Sequence, residues 1–99
     1  MIRHIVMWNF QEGLSEQQKQ ENAQAMKEQL EELRGIIPGV IEIEVIISPL
    51  ATSNADIMLT SLFADEQVLA EYQAHPEHVR IGQFIRGFVC NRMCMDYVE

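Results

Sequence analysis

The chain has 99 residues, 47% of them hydrophobic, and a formal net charge of −8 from 15 acidic and 7 basic residues. That length suits one domain with a modest core, so a hydrophobic share at the upper edge for a soluble domain makes a subunit interface a natural place for the surplus. Basic residues are scattered (Arg3, Lys19, Lys27, Arg34, Arg80, Arg86, Arg92), which argues against nucleic acid and against an anionic membrane surface as partners.

The first segment, Ile2 to Phe10 (IRHIVMWNF), reads as a strand rich in β-branched and aromatic residues. Ile2, Val6, Trp8 and Phe10 fall on one face and Ile5 and Met7 on the other. A half-buried antiparallel strand alternates apolar with polar, and this one does not, so both faces are expected to be covered.

Ser15 to about Arg34 reads as a helix, with Ser15 and Gln18 forming a capping box. Its apolar stripe runs Ala23, Met26, Leu30, Leu33, Ile37. The opposite face, with Lys19, Glu21, Lys27, Glu28, Glu31 and Glu32, reads as solvated and without function. Gly35 suits the stop and Pro38-Gly39 a turn.

Val40 to Ser48 is a second strand. Ile41, Ile43, Val45 and Ile47 are expected on one face, with Glu42 and Glu44 on the other marking an edge strand. A polar loop leads to a third strand, Ile57 to Phe63. Asp65 caps a short helix carrying Val68, Leu69 and Tyr72 on one face. His75 precedes a proline and should end that helix, and Pro76 should open a new one through His78, Ile81 and Ile85. Val89 to Val98 is the last strand.

The order β-α-β-β-α-(α)-β predicts an α+β fold of ferredoxin-like topology, an antiparallel sheet with helices on one face, over a single domain 1–99. The sheet face away from the helices, with Ile5, Met7, Met58, Met93 and Met95, then needs a cover, and a second copy of the same sheet is the simplest one. No stretch approaches the roughly 20 apolar residues that span a bilayer, and the N-terminus does not read as a signal peptide. Cys90 and Cys94 lie about 13 Å apart along one strand, too far to bond each other. Two free thiols fit a reducing, cytoplasmic setting.

Chemistry, if any, lies with His4, Tyr72 and the His75-Pro76-Glu77-His78 elbow. A histidine titrating near ~6.5 and a tyrosine near ~10 can share a proton-transfer site, with His78 as base and Tyr72 as hydrogen-bonding partner. Each also has a structural reading. His4 can be a satisfied histidine in a half-buried strand, Tyr72 a core residue with a wet hydroxyl, and His75 a helix-junction residue whose ring binds a backbone group. His78 is open between packing and function. The His-x-x-His spacing offers two metal ligands without a third, so no metal is expected. No Gly-rich phosphate loop, Cys-x-x-Cys pair or nucleophile elbow calls for a cofactor.

Several landmarks then resemble one family. Met1-Ile2-Arg3-His4-Ile5-Val6-Met7-Trp8, the turn Ile37-Pro38-Gly39-Val40, Phe63, the stretch Tyr72-Gln73-Ala74-His75-Pro76-Glu77-His78 and the ending Met95-Asp96-Tyr97 are together similar to the stress-responsive dimeric α/β-barrel (Dabb) domains. The resemblance spans residues 1 to 97. It implies a ferredoxin-like monomer that pairs sheet to sheet into a barrel-like homodimer. It also implies a pocket between sheet and helices for a small apolar molecule, with His4, Tyr72, His75 and His78 as ligand-binding residues. Some plant relatives are enzymes, a polyketide cyclase and a hydroxynitrile lyase. In the cyclase the residues matching Tyr72 and His78 form the catalytic pair, so an enzyme of that type is the alternative. The cyclase histidine of the third strand is replaced here by Ile57.

Overall fold

The computed structural model describes residues 1–99. The chain forms β1 (Ile2–Phe10), α1 (Glu16–Glu32) with a 3-10 turn (Leu33–Gly35), β2 (Val40–Ile46), β3 (Ile57–Phe63), α2 (Glu66–Ala74), α3 (Pro76–Ile85) and β4 (Val89–Val98). The strands make one antiparallel sheet in the order β2-β3-β1-β4. This is the α+β, ferredoxin-like arrangement that the element order predicts. No helix is long and apolar enough to cross a membrane.

Local chemistry places each helix. The Ser15 hydroxyl accepts from the Gln18 N–H at 3.1 Å, and the Gln18 side chain accepts from the Ser15 N–H at 2.9 Å. Asp65 caps α2 through the Val68 N–H at 2.9 Å. Ala23, Met26, Leu30, Leu33 and Ile37 are buried as the spacing predicts. They pack with Val6, Trp8, Val45, Leu59, Phe63, Tyr72 and Ile81 into one core between the helices and the sheet. Each such large side chain contributes roughly 1.5–3 kcal/mol by leaving water.

The opposite sheet face has no cover within the chain. Met93 is 69% and Met95 66% exposed, and Met7 and Tyr97 lie beside them, with Met7 paired to Met93 and Ile5 to Met95. Arg3 crosses this face, donating to Glu99 at 2.8 and 3.0 Å and to Glu42 at 3.1 Å. Ile5, Met7, Met58, Met93 and Met95 therefore share the face assigned to them from sequence.

Two details depart from the sequence reading. A bulge sets Val40 opposite Phe63 and Glu42 opposite Leu62, so Val40 takes the buried position and Ile41 drops out of the row of Ile43 and Val45. The extra residue breaks the period of two on which that assignment rested. The charged face of α1 is also not merely solvated. Lys27 Nζ donates to the Val45 carbonyl at 2.8 Å, the Val45 N–H donates to Glu31 Oε2 at 2.9 Å, and Lys27 and Glu31 pair at 2.7 Å. These side chains occupy backbone groups that β2, an edge strand, cannot give to a neighbouring strand.

Gly39 sits at φ +87° in the turn before β2, and a Cβ there would meet the Val68 methyls at 2.7 and 2.9 Å. Gly39→Ala is thus expected to cost about 1–3 kcal/mol in urea unfolding. Gly35→Ala, with open space around its Cβ, should stay within about 0.5 kcal/mol. Equal effects at the two positions would contradict this account of the turn.

Candidate functional site

Between the inner sheet face and α3 lies a cavity of about 440 Å³. Val6 and Trp8 of β1 and Leu59 of β3 form its apolar floor, and His78, Gly82 and Ile85 of α3 form one wall. His4 stands at one end, and Arg86, Asn91 and Arg92 are at the rim. The volume falls in the range of small-molecule sites, which combine apolar walls with a few convergent polar groups. A larger hollow of about 770 Å³ runs along α1 past Glu16, Lys19, Gln20, Gln24 and Glu28. It is more open and holds none of the histidines, so the smaller cavity is the better candidate.

Gly82 and Asn91 shape this space. Gly82 lies inside α3, where glycine costs about 1 kcal/mol relative to alanine. A Cβ there would meet only Arg86 Nη1, at 3.8 Å, so the missing side chain leaves room on the cavity wall. Asn91 adopts φ +54° at a register shift, where Met7 pairs with Met93 but Asn9 with Cys90. Asparagine tolerates this left-handed backbone better than most residues, and the bulge brings Asn91 and Arg92 to the cavity.

The elbow between α2 and α3 brings Tyr72 and His78 together. The His75 ring accepts the Glu77 N–H at Nδ1, at 3.1 Å, and Pro76 occupies the first position of α3. His75 is thus placed as the cap of α3 and not on the cavity wall. The rings of Tyr72 and His78 then lie 4.4 Å apart, and Tyr72 also packs on Phe63 at 4.8 Å. The two rings pack at a tilt of 47°; their polar atoms make no direct hydrogen bond to each other.

Tyr72 is fully buried, and its hydroxyl is a buried polar atom with no partner. Leaving such a group unpaired costs about 1–3 kcal/mol. Burial pushes its pKa up, so the phenol stays protonated and can only donate or accept a hydrogen bond. His78 Nδ1–H donates to the Gln73 carbonyl at 3.2 Å, which leaves the lone pair on Nε2. Burial holds the His78 pKa below its ordinary value of 6.5, with the charges of His4, Arg92 and His75 acting in the same direction and the Gln73 contact opposing. At neutral pH His78 is therefore an uncharged acceptor with one free nitrogen.

His4 is 2% exposed, and its ring packs near Phe63 at 6.1 Å and Tyr72 at 6.2 Å. Strand pairing sets it opposite Asp96, and His4 Nδ1–H donates to Asp96 Oδ1. Cys94, two residues earlier on the same face of β4, lies with its sulfur 3.7 Å from both His4 Nδ1 and Asp96 Oδ1. Burial and the neighbouring Asp96 push the Cys94 thiol up from its ordinary pKa. His4 is thus a satisfied strand histidine that also lines the cavity. Its partners Asp96 and Cys94 escaped the sequence reading, as did Gly82 and Arg92. The only signal for the first pair is the i, i+2 spacing of Cys94 and Asp96 on a strand that ends beside the start of β1.

The fold and site can be set beside known proteins. No curated protein matches the chain. A dimeric protein of unknown function with a ferredoxin-like fold from Bacteroides fragilis is similar over 99% of this chain and 95% of its own, at 28% identity and a TM-score of 0.92. A dimeric ferredoxin-like protein of unknown function from Thermobifida fusca is similar over 99% and 90%, at 20% identity and a TM-score of 0.83. A Dabb family protein from Mesorhizobium loti is similar over 99% and 95%, at 22% identity and a TM-score of 0.71. These likenesses agree with the ferredoxin-like topology, and the model of the stress responsive A/B barrel domain matches residues 2–99. The chain belongs to the stress responsive A/B barrel (Dabb) family.

Proposed function

We propose that the chain acts as a cytoplasmic, stress-response-type homodimer that binds a small, largely apolar molecule in the cavity between the sheet and α3. The observation that carries this reading is the cavity itself, with Val6, Trp8, Leu59 and Ile85 around it and His4 and His78 as its histidines. A ligand with one polar group would meet the free Nε2 of His78, and Tyr72, fully buried and not itself on the cavity wall, packs against the His78 ring. His75 serves the site by fixing the elbow. The free thiols Cys90 and Cys94 fit a reducing compartment.

The homodimer reading rests on the bare apolar face and on relatives from B. fragilis and T. fusca that are described as dimeric. A second reading, proton transfer of the polyketide cyclase or lyase type, is favoured by one observation. His78 is an uncharged base packed against a protonated phenol. In that reading His78 Nε2 takes the proton and Tyr72 donates a hydrogen bond to the oxygen where charge develops.

Light scattering at micromolar concentration should give twice 11.4 kDa, with a paired interface above about 1,000 Å². Met93→Glu combined with Met95→Glu should yield a folded monomer. A monomeric wild-type chain would refute the assembly.

Titration with anilinonaphthalene sulfonate, an apolar probe with one anionic group, should show one site per chain. Gly82→Leu, which projects a side chain into the cavity, should abolish that binding while the protein still melts cooperatively. Undiminished binding by Gly82→Leu would place the ligand elsewhere.

Tyr72→Phe removes a hydroxyl that has no partner, so its melting temperature should match or exceed that of the wild type, whereas Tyr72→Ala should lose about 3–5 kcal/mol. Because the His78 pKa is lowered on folding, the unfolded chain takes up the proton first as pH falls below 6.5. Stability present above that pH is therefore lost between 6.5 and the lower folded value, and His78→Gln should flatten that part of the curve. Ligand binding or turnover through Nε2 should decline on the acid side as well. A wild-type melting temperature that is flat or rising as pH drops from 6.5 to 5 would contradict the buried, neutral His78.

A further inference from the structure

We propose that His4, Cys94 and Asp96 form a three-ligand site for a divalent transition metal of the zinc type, with its fourth coordination position open. The three donors are a ring nitrogen, a sulfur and a carboxylate oxygen, all within 4.8 Å of one another. They come from two neighbouring strands whose register places Asp96 opposite His4 and Cys94 opposite Val6, so all three point to the same side of the sheet. The inference is independent of the identity of any cavity ligand.

Distances fit a tetrahedral ion. With metal–sulfur bonds near 2.3 Å and metal–nitrogen or metal–oxygen bonds near 2.0–2.1 Å, neighbouring sulfur and nitrogen or oxygen ligands lie about 3.6 Å apart. Cys94 Sγ lies 3.7 Å from His4 Nδ1 and 3.7 Å from Asp96 Oδ1. Only the direct His4–Asp96 contact must open, to about 3.3 Å. Asp96 is on an edge strand and its side chain is 37% exposed, so it can move that far without disturbing the core.

The donor set selects the ion. A thiolate with an imidazole and a carboxylate suits a borderline-soft divalent metal over magnesium or calcium. A thiolate and a carboxylate together balance the double charge. Arg92, whose charge also reaches Cys94, opposes the cation, and the two anionic ligands outweigh it. The His4 ring is held by Phe63 and Tyr72, a fixed orientation of the kind that metal-ligating histidines need. A cysteine–histidine–aspartate nucleophile is the competing reading of the same residues. That arrangement uses the two opposite ring nitrogens, whereas here both Cys94 and Asp96 approach Nδ1.

Full-length protein should be titrated with zinc by calorimetry and with cobalt(II) by absorbance. One equivalent per chain should bind in the micromolar range or tighter, and cobalt should show a thiolate charge-transfer band with the intense visible bands of tetrahedral coordination. Cys94→Ser should abolish the charge-transfer band and weaken zinc binding by more than about 100-fold, and Asp96→Asn should weaken it by at least about 10-fold. Both side chains lie at the exposed edge, and melting curves of the metal-free variants will verify that they fold. Cys90→Ser should bind as the wild type does. No zinc uptake, a band that survives Cys94→Ser, or a band lost in Cys90→Ser would each overturn the assignment.

Discussion

Strand β1 is hydrogen-bonded along both edges, to β3 and to β4, and its alternation divides the sheet into two unlike faces. Residues of one parity, His4, Val6 and Trp8, line the cavity under α3. Those of the other, Arg3, Ile5 and Met7, lie on the bare face. A slip of one residue would carry the cavity floor to the outside and the methionines into the core. The register is held on both sides by hydrogen-bonded pairing to β3 and β4, including His4 opposite Ser61 and Asp96 and Met7 opposite Met58 and Met93.

The architecture was legible because its signals are local. A capping box, a 3-4-3-4 stripe, a proline after His75 and four β-rich runs each report on a few consecutive residues, and the ferredoxin-like order follows from their sequence. The bare face was legible for the same reason, since β1 is apolar on both sides. What local signals miss is the bulge. At Ile41 one extra residue gave the first inward position of β2 to Val40, while Ile43 and Val45 kept theirs, and at Asn91 another turned the start of β4 towards the cavity. A period of two cannot foresee an interruption of itself.

The candidate site was partly legible. Of the four residues singled out from sequence, His4 and His78 line the cavity, whereas Tyr72 is buried in the core against the His78 ring and His75 sits at the helix junction. The orphaned Tyr72 hydroxyl and the hydrogen bond that leaves His78 Nε2 free depend on packing between elements, which no spacing encodes. The grouping of His4 with Asp96 and Cys94 joins residues about ninety positions apart. Such a long-range cluster appears only once the first and last strands are known to be neighbours.

The clamp that Lys27 and Glu31 place on Val45 bears on how far assembly can go. An open sheet has two free borders, and head-to-tail strand addition needs both to propagate. Here one border is β2, with the backbone of Val45 engaged by α1 and its outward positions charged by Glu42 and Glu44. The other is β4, whose strand is exposed almost throughout. The two borders are therefore unequal, and strand addition that needs both is disfavoured at the β2 side. The helix that builds the core thus also withdraws part of one sheet edge from strand addition.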